Sequence, residues 1–442
     1  MSPKLKFALI CRCSNCGFAM PIAMALGFIM ILIATILVMR SQGDQTTAQA
    51  QKATAQSLAV AEGGITRTLA TLNNSNPDIG SLLTRNYDPN GLLVGGSTIN
   101  EWTASNMPPC TSLTDLLSGT IGSSTYEVLA YRYDVNNKTG TLLVKGQVPV
   151  GATSSESRVQ QTFKIKPKNS TFIAVLGTDD IGLGNNDVRG TYGNVACTNT
   201  TKCPVTCPYT TASAKTAIGG LGSADVDGKI YIGSIPTPTF PTMPTVWDGT
   251  GTKPSTEFTV DLGTNLDNKV THNFPRSSDF TNHIAGTPYH YKINSIDDNN
   301  YNINVTTLKD ATKNPTGDPV YFWVSGKIDM GGSSQLNHNN SSNPTAFRIY
   351  GTSTTSQDMV VASGASDVDA FIFAPNARVG INGTGTIDGM VYAKSFGEVG
   401  ANGNAVVNVP NNPNLPSFLS DLAVFFSYQI DSTNSWQRQA VP

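Results

Sequence analysis

Gly17-Phe-Ala-Met-Pro-Ile-Ala-Met-Ala-Leu-Gly-Phe-Ile-Met-Ile-Leu-Ile-Ala-Thr-Ile-Leu-Val-Met39 carries no charge from end to end. At a rise of about 1.5 Å per residue such a helix reaches roughly 34 Å, enough to cross a hydrocarbon core of about 30 Å. Pro21 falls in the first turn, where its missing N–H is harmless. Lys4, Lys6 and Arg12 precede the stretch and Arg40 ends it. The basic leader is expected to stay cytoplasmic, giving a single-pass inner-membrane anchor with everything after Arg40 outside the cytoplasm. An ordinary secretory signal has a shorter apolar core and small residues at its cleavage site. Here Arg-Ser-Gln follows instead, so the simpler alternative is an uncleaved signal anchor. Past Arg40 there is no Pro up to Asn73, and Ala55, Leu58, Glu62, Ile65, Leu69 and Leu72 recur at spacings of three and four. That periodicity predicts an amphipathic continuation of the same helix, weakened locally by Gly43, Gly63 and Gly64.

A basic leader ending in Gly, then Phe, then an apolar segment fused to a long amphipathic helix resembles the class III signal of type IV pilins and type II secretion pseudopilins. Ala-Glu-Gly-Gly-Ile-Thr-Arg-Thr-Leu (61–69) further resembles the N-terminal region of PilX-type minor pilins. The resemblance implies that a prepilin peptidase cuts after Gly17, that Phe18 becomes the N-methylated first residue, and that other pilins and an inner-membrane assembly platform are the partners. One position departs from it: most pilins carry Glu at the fifth mature position, and here that position is Ile22. A carboxylate in lipid must find a partner, so its loss removes both a cost and a recruiting contact. PilX-like proteins and K-type pseudopilins resemble this chain in that respect, which implies a subunit at the filament tip.

The chain has seven Cys in 442 residues. Cys11, Cys13 and Cys16 lie in the leader and are read as incidental; Cys110, Cys197, Cys203 and Cys207 lie beyond the membrane. Cleavage after Gly17 leaves four, an even number suited to two disulfides in an exported domain, with three connectivities open. A zinc site at Cys203 and Cys207 fits poorly, because three residues separate them and no His is near in sequence.

From Asn74 to Ser118 the chain is rich in turn residues. Thr125–Asp134 and Thr141–Val150 flank an Asn-Asn-Lys-Thr-Gly turn and predict a hairpin, with Ser157–Ile165 as a third strand packed on the helix stripe. Farther on, Phe371-Ile-Phe-Ala-Pro-Asn is echoed by Met390-Val-Tyr-Ala-Lys-Ser, and Val379-Gly-Ile-Asn-Gly by Val399-Gly-Ala-Asn-Gly. A period of about 20 residues with Gly and Asn at the turns predicts coils of a parallel β-helix, against the alternative of a Gly-rich β-sandwich. The phrase at 374–395 also resembles the C-terminal domain often fused to PilX-type N-termini. The expected fold is mainly β with a long N-terminal α-helix, a small antiparallel sheet on that helix, then a parallel β-helix. The expected divisions are a leader (1–17), helix (18–74), pilin-like head (75–168), first coils (169–235), an insertion behind a Pro-rich link (236–318), further coils (319–415) and a cap or tail (416–442).

Only 14% of residues are charged and the formal net charge is −2, which leaves no electrostatic grip on nucleic acid. His272, His283, His290 and His338 form no metal motif, and there is no nucleophile elbow, Walker loop or dinucleotide Gly pattern. No catalytic residue or cofactor is therefore expected. Asp179-Asp180, Asp225-Val-Asp227 and Asp297-Asp298 read as turn carboxylates, with Asp225 and Asp227 the candidates for calcium. The function expected is a non-enzymatic, PilX-like pilus subunit displaying a β-rich, adhesive head to an extracellular glycan or surface. The alternative is a membrane-anchored β-helix protein that binds or acts on polysaccharide without a pilus role.

Overall fold

The computed structural model describes residues 19–73, 82–93, 97–103, 107, 110, 112–167, 172–220, 224–233, 237–250, 252–267, 270–299, 302–362, 367–381, 383–398, 404–415 and 428–439. The chain is mainly β behind one long helix. Helix α1 (Ala19–Leu72) runs 54 residues without a break, about 81 Å at 1.5 Å per residue. Gly43 does not interrupt it: the Thr46 and Thr47 hydroxyls donate back to the Gly43 carbonyl at 2.9 and 2.8 Å.

The second half of α1 lies on an antiparallel sheet of β1 (Ser124–Asp134), β2 (Thr139–Val150) and β3 (Thr153–Pro167). The β1–β2 turn closes as its Asn-Asn-Lys pattern requires: Asp134 Oδ1 accepts from the Asn136 and Asn137 amides, and Lys138 takes φ 52°. Val60, Ala61, Ile65 and Leu72 are buried against Val128, Leu142, Val144 and Val159. Within the stripe read from sequence, Ala55 and Glu62 are exposed instead. The contact face includes Ala53, Ser57, Gly64 and Thr68, small residues that allow helix and sheet to approach closely. Ser57 and Ser157 share a buried hydroxyl hydrogen bond of 2.6 Å across that interface. In the same core Tyr87, Trp102, Tyr131 and Phe163 stack in succession, with centroids 5.1 to 6.1 Å apart. Tyr131 donates to the Leu83 carbonyl at 2.7 Å and locks the connecting segment over the sheet.

Beyond Phe172 the chain forms a parallel β-helix with three ladders. Its longest ladder contains β4 (Val175–Gly182), β5 (Val195–Cys197), β6 (Ile230–Ile232), β7 (Thr245–Trp247), β8 (Phe258–Asp261), β9 (Tyr289–Ile293), β10 (Val320–Val324), β11 (Phe347–Gly351), β12 (Phe371–Ile381) and β13 (Met390–Glu398). Their spatial order is β6-β5-β4-β13-β12-β11-β10-β9-β8-β7. The chain thus enters mid-stack, winds two coils to one end, crosses to the other end and winds back until β13 pairs with β4. Ile232 and Thr245, thirteen positions apart, join ends separated by nine ladder steps. At about 4.8 Å per step this is roughly 43 Å, close to the reach of thirteen extended residues at about 3.3 Å each. The Pro-rich link is therefore a strap along the stack. Its Phe240 packs edge-on against Trp323, Tyr350 and Phe373 on three successive coils, at 6.3, 5.8 and 5.2 Å.

Two expectations change here. Residues 246–318 are not an insertion, since β7, β8 and β9 continue the ladder in register: Thr245 opposite Phe258, Thr259 opposite His290, Tyr289 opposite Val320. Coils differ in length. The step from Phe371 to Met390 is short and the step from Tyr289 to Val320 is much longer, so the repeat read from sequence marks only the tightest coils. The C-terminal segment 428–439 does not cap the solenoid. It runs antiparallel to β3 from Tyr428 opposite Pro167 to Gln439 opposite Arg158, and Tyr428 and Ile430 join the head core. Pairing covers residues 158–167 of what would otherwise be a long exposed edge. The β-helix is thus housed between two neighbouring strands of the head sheet.

Candidate functional site

The first half of α1 is the largest unsatisfied surface among the described residues. From Met20 to Met39 every residue is exposed and none is charged; Met20, Met24, Phe28 and Met30 each expose more than 65% of their surface. Its one hydroxyl, on Thr35, donates to the Ile31 carbonyl at 2.7 Å, so the span's polar side chain is satisfied within the helix. The segment is long and apolar enough to cross a membrane. Arg40 is the first charge after it. Ile22 sits on this surface, 51% exposed, so the position offers a branched alkyl group and no carboxylate. Gly17, Phe18, Cys11, Cys13 and Cys16 lie outside the described residues.

The four remaining Cys form two bonds. Cys110 joins Cys207, 97 residues on, and ties the head to the excursion between β5 and β6; Cys197 joins Cys203 locally. Asp225 and Asp227 converge with Asp187 on Arg189. The guanidinium lies 2.9 Å from Asp187 Oδ2, 3.0 Å from Asp225 Oδ2 and 3.5 Å from Asp227 Oδ1. Asp227 Oδ2 also accepts from the Gly190 amide at 2.8 Å. A fixed protein cation thus stands where a calcium ion would need those carboxylates.

His283, His290 and His338 are engaged on separate elements. His283 Nε2 meets Asp318 at 2.7 Å, and His338 Nε2 meets the Thr307 hydroxyl at 2.6 Å. Trp323 Nε1–H donates to His290 Nδ1 at 2.9 Å, which leaves the proton on Nε2 to donate to Glu257 at 2.6 Å. Burial lowers the His290 pKa against the opposing pull of Glu257, and burial pushes His338 down to about 4. Asp179 and Asp297 lie on strands and not in the turns expected for them; Asp179 accepts from Asn199 at 2.9 Å and Asp297 pairs with Lys327 at 2.9 Å, so both carboxylates are braced by their neighbours. Among the described residues no three His, Cys, Asp or Glu side chains are placed to hold a metal.

A feature not foreseen from the sequence is a cavity of about 330 Å³ beside β7, β8 and β9, lined by Trp247, Asp261, Arg276, Asp279, His283 and Tyr291 among others. Its signal was present as aromatic density, Trp247 and Tyr289-His-Tyr291, in a segment otherwise dominated by turn residues.

Residues 294–411 match a family described as "Domain of unknown function (DUF7305)". No curated protein matches the chain. Among solved structures, the crystal structure of competence-associated pilin ComZ from Thermus thermophilus matches 88% of this chain and 97% of its own, at 11% identity and a TM-score of 0.22. A likeness at that TM-score carries no argument about this chain.

Proposed function

We propose that the chain is a non-enzymatic, pilin-like subunit, anchored in the inner membrane by α1 and assembled through it into a type IV pilus or a related secretion pseudopilus. The observation that carries this reading is the division of one unbroken helix into an all-round apolar half and a half docked on an antiparallel sheet. In lipid the first half needs no partner, since acyl chains cover it. On extraction it must exchange lipid for the helices of neighbouring pilins, and its charge-free surface lets that exchange proceed without desolvating an ion.

The finer assignments follow from the same reading. Prepilin peptidase cuts between Gly17 and Phe18, Phe18 is N-methylated, and the assembly platform extracts the mature chain. Ile22 lacks the carboxylate that would recruit a subunit above it, and a β-helix inserted in the head sheet is bulky for a packed wall. Both favour a PilX-like minor pilin at the tip, with the head displayed toward extracellular glycan or surface. Co-purification from detergent tests the assembly. The tagged chain should bring down pilins, and replacing Ile29 and Ile33 together by Asp should abolish this while leaving the soluble head folded. Recovery free of pilins would overturn the reading and favour an anchored polysaccharide-binding β-helix.

A further inference from the structure

We propose that the cavity at the β7 end of the solenoid binds an uncharged sugar residue of a glycan. The assignment deepens, and rests on, the reading of the β-helix as a displayed head. The cavity, about 330 Å³, falls in the size range of small-molecule sites, about 300–1,000 Å³. It lies at the last coils of the stack, about six ladder steps from β4, where the chain enters the solenoid, or roughly 29 Å at 4.8 Å per step.

Its walls are held rigid before any ligand arrives. Trp247 Nε1–H donates to the Thr250 carbonyl at 2.9 Å, and its ring stands edge-on to Phe258 at 5.3 Å. The indole is therefore fixed in orientation while only half-buried. Tyr291 donates to Asp279 Oδ2 at 2.7 Å, and Arg276 grips the same carboxylate through Nε and Nη2 at 3.0 and 2.9 Å. His283 stacks on Tyr289 with centroids 3.5 Å apart. A fixed aromatic face beside planar carboxylate, guanidinium and amide groups suits a ligand with an apolar C–H face and a rim of hydroxyls. Side chains already oriented lose little rotamer entropy on binding.

Charge selects among sugars. The lining carries Asp248, Asp261 and Asp279; Arg276 is committed to Asp279 and Lys292 to Asp261, so Asp248 carries the net negative charge of the wall. A uronate, sialate or phosphate would meet a net negative field, whereas a neutral hexose or N-acetylhexosamine would not.

The test uses the full detergent-solubilised chain on immobilised oligosaccharides ending in glucose, galactose or N-acetylglucosamine, with uronate- and sialate-terminated ones as the acidic arm. At least one neutral member should be retained, the acidic arm should not, and Trp247→Ala and Asn282→Ala, both on the cavity wall, should each lower retention tenfold or more. Lys313→Ala, outside the cavity, should leave retention unchanged, and circular dichroism of each variant checks its fold. Retention of no neutral member, retention of the acidic arm alone, or unchanged retention by folded Trp247→Ala overturns the proposal. Sugar binding needs no pilin, and co-purification with pilins needs no sugar, so failure of one reading is distinguishable from failure of the other.

Discussion

Gly146→Ala is the sharpest probe of how α1 is held. Gly146 lies on β2 directly beneath the helix, and a Cβ there would stand 2.2 Å from the Ser57 carbonyl oxygen and 2.5 Å from the Ala61 nitrogen. Both are backbone atoms of α1, so no side chain can rotate away. Restoring ordinary contact requires the helix to lift by about 1 Å, which loosens Val60, Ala61 and Ile65 together. Overpacking of this kind costs about 1–3 kcal/mol. Since about 1.4 kcal/mol is a factor of ten, a central loss of about 2 kcal/mol corresponds to roughly 30-fold faster exchange through local opening. The assay is amide hydrogen exchange in detergent, comparing residues 57–68 with β10 and β11 as internal reference. Gly43→Ala is the control: nothing lies within 4 Å of its Cβ, and an exposed helical Gly replaced by Ala gains up to about 1 kcal/mol. Protection at 57–68 within twofold of wild type in Gly146→Ala would refute the docking described.

Phe240→Ala should loosen the strap. Three aromatic contacts worth about 0.5–1.5 kcal/mol each are lost, so a fall of about 2 kcal/mol is expected, read as a lower urea midpoint for the solenoid. Joint replacement of Cys110 and Cys207 by Ser should lower stability by up to about 4.7 kcal/mol, the chain-entropy value for a loop of about 100 residues, and reductant should shift wild type in the same direction. Asp369 is pushed up to about 7, by burial and then by the Asp388 carboxylate. A carboxyl whose folded pKa is raised contributes stability below its unfolded value and loses it as pH rises toward 7. His338, pushed down to about 4 by burial, does the reverse, losing stability as pH falls from about 6.5 toward 4. The two slopes oppose each other across the same window. Asp369→Asn should therefore make the thermal midpoint climb more steeply from pH 4 to 6.5 than in wild type; an unchanged slope contradicts the assignment.

What the sequence made legible was what local pattern can carry. The apolar half of α1 announces itself by an uncharged run from Gly17 to Met39, and the β1–β2 hairpin by its Asn-rich turn between alternating runs. The solenoid shows where its coils are tightest, at Phe371 and Met390, because nothing interrupts the step between them. It is hidden between 246 and 318, where excursions such as 276–288 lengthen each coil and dilute the repeat. Burial of Ser57, Gly64 and Thr68 was hidden for another reason: small and hydroxylic residues look like a solvated face when the partner backbone is unseen. The re-entrant strand order and the return of residues 428–439 to β3 are long-range pairings with no local signature. The cavity was illegible for the same cause. His290 and Glu257 are 33 residues apart and meet only because β8 and β9 are adjacent coils.

The central claim is that α1 is a pilin-type helix made by cleavage after Gly17. Intact mass and N-terminal sequencing of the chain purified from its native membrane test it in one step. The account predicts a mature chain beginning at Phe18 with one added methyl group, and retention of the leader when Gly17 is replaced by Ala. A mature chain that still begins at Met1 or Ser2, or that is cut after Arg40, would contradict it.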